Sequence, residues 1–146
     1  MAYEHAIVRQ VEFSDTDMAG IAHFTAFFRY MEAVEHSFFR SLGLSIVTLH
    51  PEPVGWPRVH VECDFRAPLR FEDSVEVRLL VREKREKSLV YTIVFRKLNE
   101  DPPREVARGT LAVACVTRGA DGKMKSVPIP ESIAERIDVA PAELLA

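Results

Sequence analysis

An α+β fold, with about five antiparallel strands and one dominant helix, is predicted by three features of the chain. A single strand-like segment comes first, one long amphipathic helix follows it, and nearly everything after the helix alternates apolar and polar residues as strands do. The first strand is expected over residues 6–13. The helix is expected over residues 24–42, with Gly43 at the position that a left-handed C-terminal cap requires. At 100° per residue, Phe24, Phe27, Phe28, Met31, Val34, Phe38, Phe39 and Leu42 fall in a stripe about 140° wide, broad enough to face a core. Tyr30 and Ala33 lie outside that stripe.

A loop is expected over residues 51–57, bounded by prolines and containing Gly55. Beyond it Val59, Val61, Cys63 and Phe65 alternate with His60, Glu62, Asp64 and Arg66, giving a strand with one polar face. Val75, Val77, Leu79 and Val81 repeat the pattern, and a charged turn at 83–87 leads into a strand at 88–97. After a proline-containing turn at 99–104, residues 105–118 are apolar on both faces, as in a strand covered on both sides. Gly119 to Gly122 reads as a turn, and residues 130–137 as a short closing helix. One helix cannot cover both faces of such a sheet, so a second copy of the chain is expected, most simply as a twofold dimer.

Composition narrows the function classes. A chain of 146 residues, 47% hydrophobic and 28% charged, has the size and balance of one globular domain spanning 1–146. Its net charge of −3 supplies no basic excess for nucleic-acid phosphates. No apolar run has the length of a membrane span. Glu4, His5, Arg9 and Glu12 occupy the region where an export signal would need an apolar core, so a cytoplasmic location is expected. Cys63 and Cys115 sit in strand-like runs without a CxxC pairing and read as small apolar residues. Glu35 falls near the middle of the apolar stripe, where an unpartnered charge is costly, so it reads first as a structural carboxylate paired with an arginine or histidine, within the chain or across a dimer, with a second catalytic acid as the alternative. His23, Glu32, Glu35 and His36 spread around the helix and make no His-Glu-x-x-His pattern, so no metal site is expected.

The stretch from Val11 to Phe24 carries the chemistry. Asp15 and Asp17 lie two residues apart at the end of a strand, Gly20 allows a turn, and the helix begins near Phe24. That order aims a carboxylate across a helix N-terminus, whose open N–H groups and dipole favour negative charge. A base or nucleophile and a developing oxyanion can then share one site, which is what acyl transfer requires.

Phe13-Ser-Asp-Thr-Asp-Met-Ala-Gly20, Arg29-Tyr-Met-Glu-Ala33 and Leu42-Gly-Leu44 together resemble the 4-hydroxybenzoyl-CoA thioesterase-like branch of the hotdog-fold acyl-CoA thioesterases. Cys63 to Asp73, Lys87-Ser-Leu89 and Val127-Pro128 extend the likeness over nearly the whole chain. The resemblance implies a sheet wrapped around the central helix, active sites at dimer interfaces, and hydrolysis of an acyl-CoA to a free acid and coenzyme A. It implies Asp17 as nucleophile or general base, the Phe24 backbone N–H as oxyanion contact, and Asp15 in support. A sub-branch has a histidine where this chain has Phe24; His23 lies one residue earlier, which leaves capping and direct participation both open. Arg85, Lys87, Ser88 and Lys125 match positions near the nucleotide end of coenzyme A. The only coenzyme implied is the one that forms part of the substrate. Dimers pairing into tetramers are compatible with the resemblance. A hotdog dehydratase is disfavoured because His23-Phe24-Thr25 lacks the proline of a His-Phe-Pro context, and a non-catalytic acyl-binding module because Asp17 is present.

Overall fold

The structure, a computed structural model, describes residues 2–50 and 52–146. A first strand β1 (Glu4–Gln10) is followed by a short 3-10 turn, Phe13–Asp15, and then by helix α1 (Phe24–Ser41). Strands β2 (Arg58–Phe65), β3 (Ser74–Lys84), β4 (Ser88–Lys97) and β5 (Arg104–Ala114) complete a five-stranded antiparallel sheet in the order β1-β3-β4-β5-β2. A separate two-stranded ribbon joins β6 (Val116–Arg118) to β7 (Met124–Ser126), and two single-turn helices, α2 (Glu131–Ala134) and α3 (Ala142–Leu145), close the chain. No helix of the described residues is long and apolar enough to cross a membrane.

The sheet wraps around α1, and rings along the helix reach strands on both sides of it. Phe27 meets Phe65 of β2 at 5.0 Å and Phe95 of β4 at 5.1 Å, while Phe38 meets His5 of β1 at 6.3 Å. Gly109 of β5 lets the two layers meet: a Cβ there would lie 2.5 Å from Met31 Cε and 2.5 Å from the Glu62 carbonyl oxygen. The helix ends one residue before the expected boundary, with Gly43 at φ +76°.

Several expectations change. The strand expected at 6–13 ends at Gln10, because residues 13–15 turn inward to seat Asp15. The apolar run 105–118 is not one strand. It breaks at Cys115, whose N–H bonds to the Lys87 carbonyl while Val116 begins the ribbon. The central strand is β4, where every residue from Leu89 to Phe95 is buried; Val90, Thr92 and Val94 form a second covered face, on which the Thr92 hydroxyl accepts from Arg82 at 2.9 Å. Part of that outer face is covered by the chain itself. Leu144 of α3 lines a cleft with Leu80 and Val94, and Arg108 Nη1 donates to the Ala146 carbonyl at 3.1 Å. The closing helix expected at 130–137 is a single turn. Of the loop expected at 51–57, Pro51 lies outside the described residues.

Tyr30 also differs. It is fully buried within one chain, so its place off the stripe is no sign of a partner. What stays uncovered is the inner apolar edge: on β2, Val59 is 62%, Val61 40% and Phe65 48% exposed, and Phe24 at the helix start is 55% exposed.

Candidate active site

The segment between β1 and α1 is built around Asp15. One carboxylate oxygen accepts the Glu12 N–H at 2.9 Å and the Tyr30 hydroxyl at 2.8 Å, and the other pairs with Arg29 Nη2 at 2.8 Å. The Asp15 carbonyl accepts the His23 N–H at 2.8 Å, so the same residue fixes the entrance to the helix. Burial pushes the Asp15 pKa up, but the Glu12, Arg29 and Tyr30 bonds outweigh it and hold the carboxyl below the usual carboxylate range. Tyr30 is the other half of the arrangement: burial and the adjacent carboxylate raise its pKa, so it remains a donor.

Asp17 is exposed, in contrast to Asp15. Its Oδ1 accepts the Ala19 N–H at 2.8 Å, and Gly20, at φ +80°, returns its N–H to the Asp17 carbonyl at 2.9 Å. Aspartate suits this local turn, and the positive φ suits glycine. The chain then enters α1 with His23 as N-cap. His23 Nδ1 accepts the Thr25 N–H at 3.3 Å, and the His23 carbonyl takes the Ala26 N–H at 2.9 Å. The Phe24 N–H has no partner among the turn and cap bonds of the described residues. A helix start leaves such donors open.

Asp17 and Phe24 line one cleft of about 450 Å³. Its floor is apolar (Ile21, Phe27, Phe65 and Leu69), and Arg66 stands on the rim, paired with Glu105. The loop between β2 and β3 forms the far wall and is tied to the helix start by the Ala22 N–H on the Leu69 carbonyl, 2.7 Å. Asp73, to which the sequence assigned no role, shapes that loop. Its carboxylate accepts the Arg70 N–H at 2.7 Å and the Asn99 side-chain amide at 2.9 Å, with Lys97 at 3.5 Å. Against the upward push of burial, these contacts hold Asp73 below its ordinary pKa.

Arg85, Lys87 and Ser88 lie together at the β3–β4 turn, away from Asp17, and Lys125 lies in β7, two residues before Val127, whose N–H bonds to the Cys115 carbonyl. The Arg85 N–H closes the β3–β4 turn on the Ser88 carbonyl, and the Ile129 N–H bonds to the Glu86 carbonyl, which brings the irregular segment after β7 alongside the hairpin. Arg85 is exposed and paired with Glu83 at 2.6 Å. This hairpin lies at the end of β3 opposite Ser74, whose partner Gln10 leads into the Asp17 segment. The length of β3 separates the two, about 30 Å at the rise of an extended strand.

Glu35 is fully buried and gripped by Arg58, with Nη2 at 2.6 Å and Nη1 at 3.2 Å. Burial raises its pKa, and Arg58 opposes that rise. Cys63 is half-buried, its thiol pushed up to about 11 by burial and by Asp64, and Cys115 is buried; both are free. Among the described residues no group of three or more His, Cys, Asp or Glu is placed to hold a metal ion.

Residues 11–137 match the thioesterase-like superfamily. The chain belongs to that family. A 1,4-dihydroxy-2-naphthoyl-CoA hydrolase of Synechococcus is 33% identical over 112 residues, covering 70% of each chain. A solved gentisyl-coenzyme A thioesterase is 31% identical, with a TM-score of 0.76 over 89% of this chain and 99% of that one. The 4-hydroxybenzoyl-CoA thioesterase of Pseudomonas sp. strain CBS-3 shares the fold, with a TM-score of 0.79 at 19% identity over 92% of this chain and 99% of that one. The architecture is therefore that of the hotdog thioesterases, which are thioester hydrolases.

Proposed function

We propose that this thioesterase-like protein hydrolyses an acyl-CoA to a carboxylic acid and coenzyme A. The observation that carries the reading is the cleft that holds the Asp17 carboxylate and the open N–H of Phe24 over an apolar floor. A thioester carbonyl seated against that N–H is polarised toward the oxyanion it becomes, an interaction worth about 2.7–4 kcal/mol in comparable sites. Asp17 then serves one of two routes. As a nucleophile it attacks the carbonyl carbon, the C–S bond breaks, the coenzyme A thiolate leaves, and water cleaves the resulting mixed anhydride. As a general base it takes a proton from water, the hydroxide attacks, and the proton passes to the departing sulfur. His23, as N-cap, holds the first turn of α1 in position for either route.

The catalytic unit in this reading is a homodimer. One chain leaves the β2 edge and its apolar residues uncovered and sets the basic hairpin at the wrong end of the sheet for its own Asp17. Apposing two β2 edges antiparallel about a twofold axis covers those residues and carries the partner's hairpin to the Asp17 end. Each coenzyme A then meets Asp17 of one chain and the hairpin cations of the other.

Thiol release from a panel of acyl-CoAs tests the activity. Asp17→Asn is expected to lower kcat by roughly 10²–10⁴ with the melting temperature nearly unchanged, because the side chain is exposed. Parent-like turnover in that variant would remove Asp17 from the chemistry.

A further inference from the structure

A second groove, sharing no lining residue with the Asp17 cleft, runs between β1 and α1 with a volume of about 370 Å³. Ile7 and Arg9 form its strand wall, and Ala33, His36, Ser37 and Arg40 its helix wall. His36 and Arg40 are four residues apart on one helical face, and Arg9 comes from the opposite side. Arg9 and Arg40 make no ion pair among the described residues. The nearby carboxylates are engaged chiefly by Arg58, which pairs with Glu35 at 2.6 Å and with Glu32 at 3.6 Å, while Glu35 Oε1 also lies 3.9 Å from His36 Nε2. Two arginines without an ion-pair partner therefore line one groove on a chain whose net charge is −3.

The donors are also held in place. The Arg9 guanidinium carbon lies 5.9 Å from the centre of the Tyr30 ring, which limits its freedom before any ligand arrives. Ser37 Oγ is 2.8 Å from His5 Nε2, and when that nitrogen donates, the hydroxyl proton is free to point into the groove. A helix C-terminus favours a cation such as Arg40, and an edge strand often carries one such as Arg9. Those roles explain each charge separately, but not their meeting across a groove with Ser37 and His36.

We propose that this groove is an anion site that takes a phosphoryl group, as inorganic phosphate or as a phosphomonoester. Two planar guanidinium forks, a hydroxyl and an imidazole, arriving from both walls, suit an ion with three or four oxygens better than they suit a planar carboxylate.

Calorimetric titration of the intact protein at low ionic strength tests the proposal, first with inorganic phosphate and then with a nucleoside monophosphate. Saturable binding at one site per chain is expected, with shifts of the Ser37 and His36 resonances in NMR spectra. With both titrations run in an Arg85→Ala/Lys87→Ala background, so that the hairpin contributes nothing, Arg9→Gln/Arg40→Gln should weaken binding at least tenfold. Equal affinity for the two probes assigns the site to the phosphate group alone, and tighter nucleotide binding assigns it to a phosphomonoester. Absence of saturation, or parent-like binding in Arg9→Gln/Arg40→Gln, overturns the proposal. So does a change in the sedimentation of that variant without phosphate, which would make the groove a contact between copies. Because the readout is binding, the proposal stands or falls independently of thioester hydrolysis.

Discussion

Two aspartates two residues apart have opposite environments, and the difference assigns their roles. Asp15 is buried under four hydrogen bonds through its side chain and carbonyl, whereas Asp17 is exposed on the cleft rim. Asp15→Asn should therefore lose stability more than chemistry, by about 1–3 kcal/mol for the loss of bonds to a charged acceptor. The folded-state pKa of Asp15 is depressed, so its contribution is fully present above the unfolded value and fades as pH falls through the folded one. Denaturant melts of parent and variant should differ most at neutral pH, begin to converge below about pH 4, near the unfolded aspartate value, and meet only below the depressed folded value. A gap that stayed constant with pH would show that the Asp15 charge is not what holds the loop. The pair itself was legible in the sequence, because aspartates before a glycine turn and a helix are a local pattern. The burial of Asp15 was not, since it depends on Tyr30 and Arg29, which are 15 and 14 residues further on.

At the scale of elements, amphipathic periods were easy to read because each needs only its own residues. Thus α1, β3 and β4 lie close to where alternation and the helical stripe put them. Interruptions set by distant partners were not readable. The break at Cys115 depends on Lys87, and the cover over β4 depends on a C-terminal turn without a periodic signal of its own. Gly109 is another such dependence, since its need for no side chain arises only where Met31 of α1 presses on β5. A Cβ at 2.5 Å from the Glu62 backbone meets an atom that cannot swing aside. Gly109→Ala should then cost about 1–3 kcal/mol, the range for overpacking a filled core. A denaturant midpoint equal to that of the parent would mean that β2 and α1 shift without cost. Glu35 and Arg58 give a complementary case. Arg58→Leu leaves a buried carboxylate alone and should cost about 3–5 kcal/mol, much of which Glu35→Leu in the same chain should restore.

For the whole molecule, the decisive geometry is the sheet-length gap between Asp17 and the basic hairpin of the same chain. If the hairpin serves the neighbouring chain's site, two defects can be separated by mixing. Asp17→Asn retains a good hairpin without the acid, and Arg85→Ala/Lys87→Ala retains the acid without the cations. Hairpin contacts lie far from the reacting carbonyl, so their loss should raise KM for CoA substrates and leave kcat almost unchanged. In a mixed dimer, one site then combines the intact Asp17 of one chain with the intact hairpin of the other, and the second site carries both defects. After unfolding and refolding an equal mixture, about a quarter of all sites should be fully intact in statistically paired twofold dimers. Turnover at low substrate should rise above the average of the two parent variants, with a new component at the unmutated KM. An acyl-pantetheine without the nucleotide should show no such gain, because the hairpin variant handles it normally. If the hairpin instead acted within its own chain, every site in the mixture would keep one defect, and the kinetics would equal the sum of the separate variants at every mixing ratio.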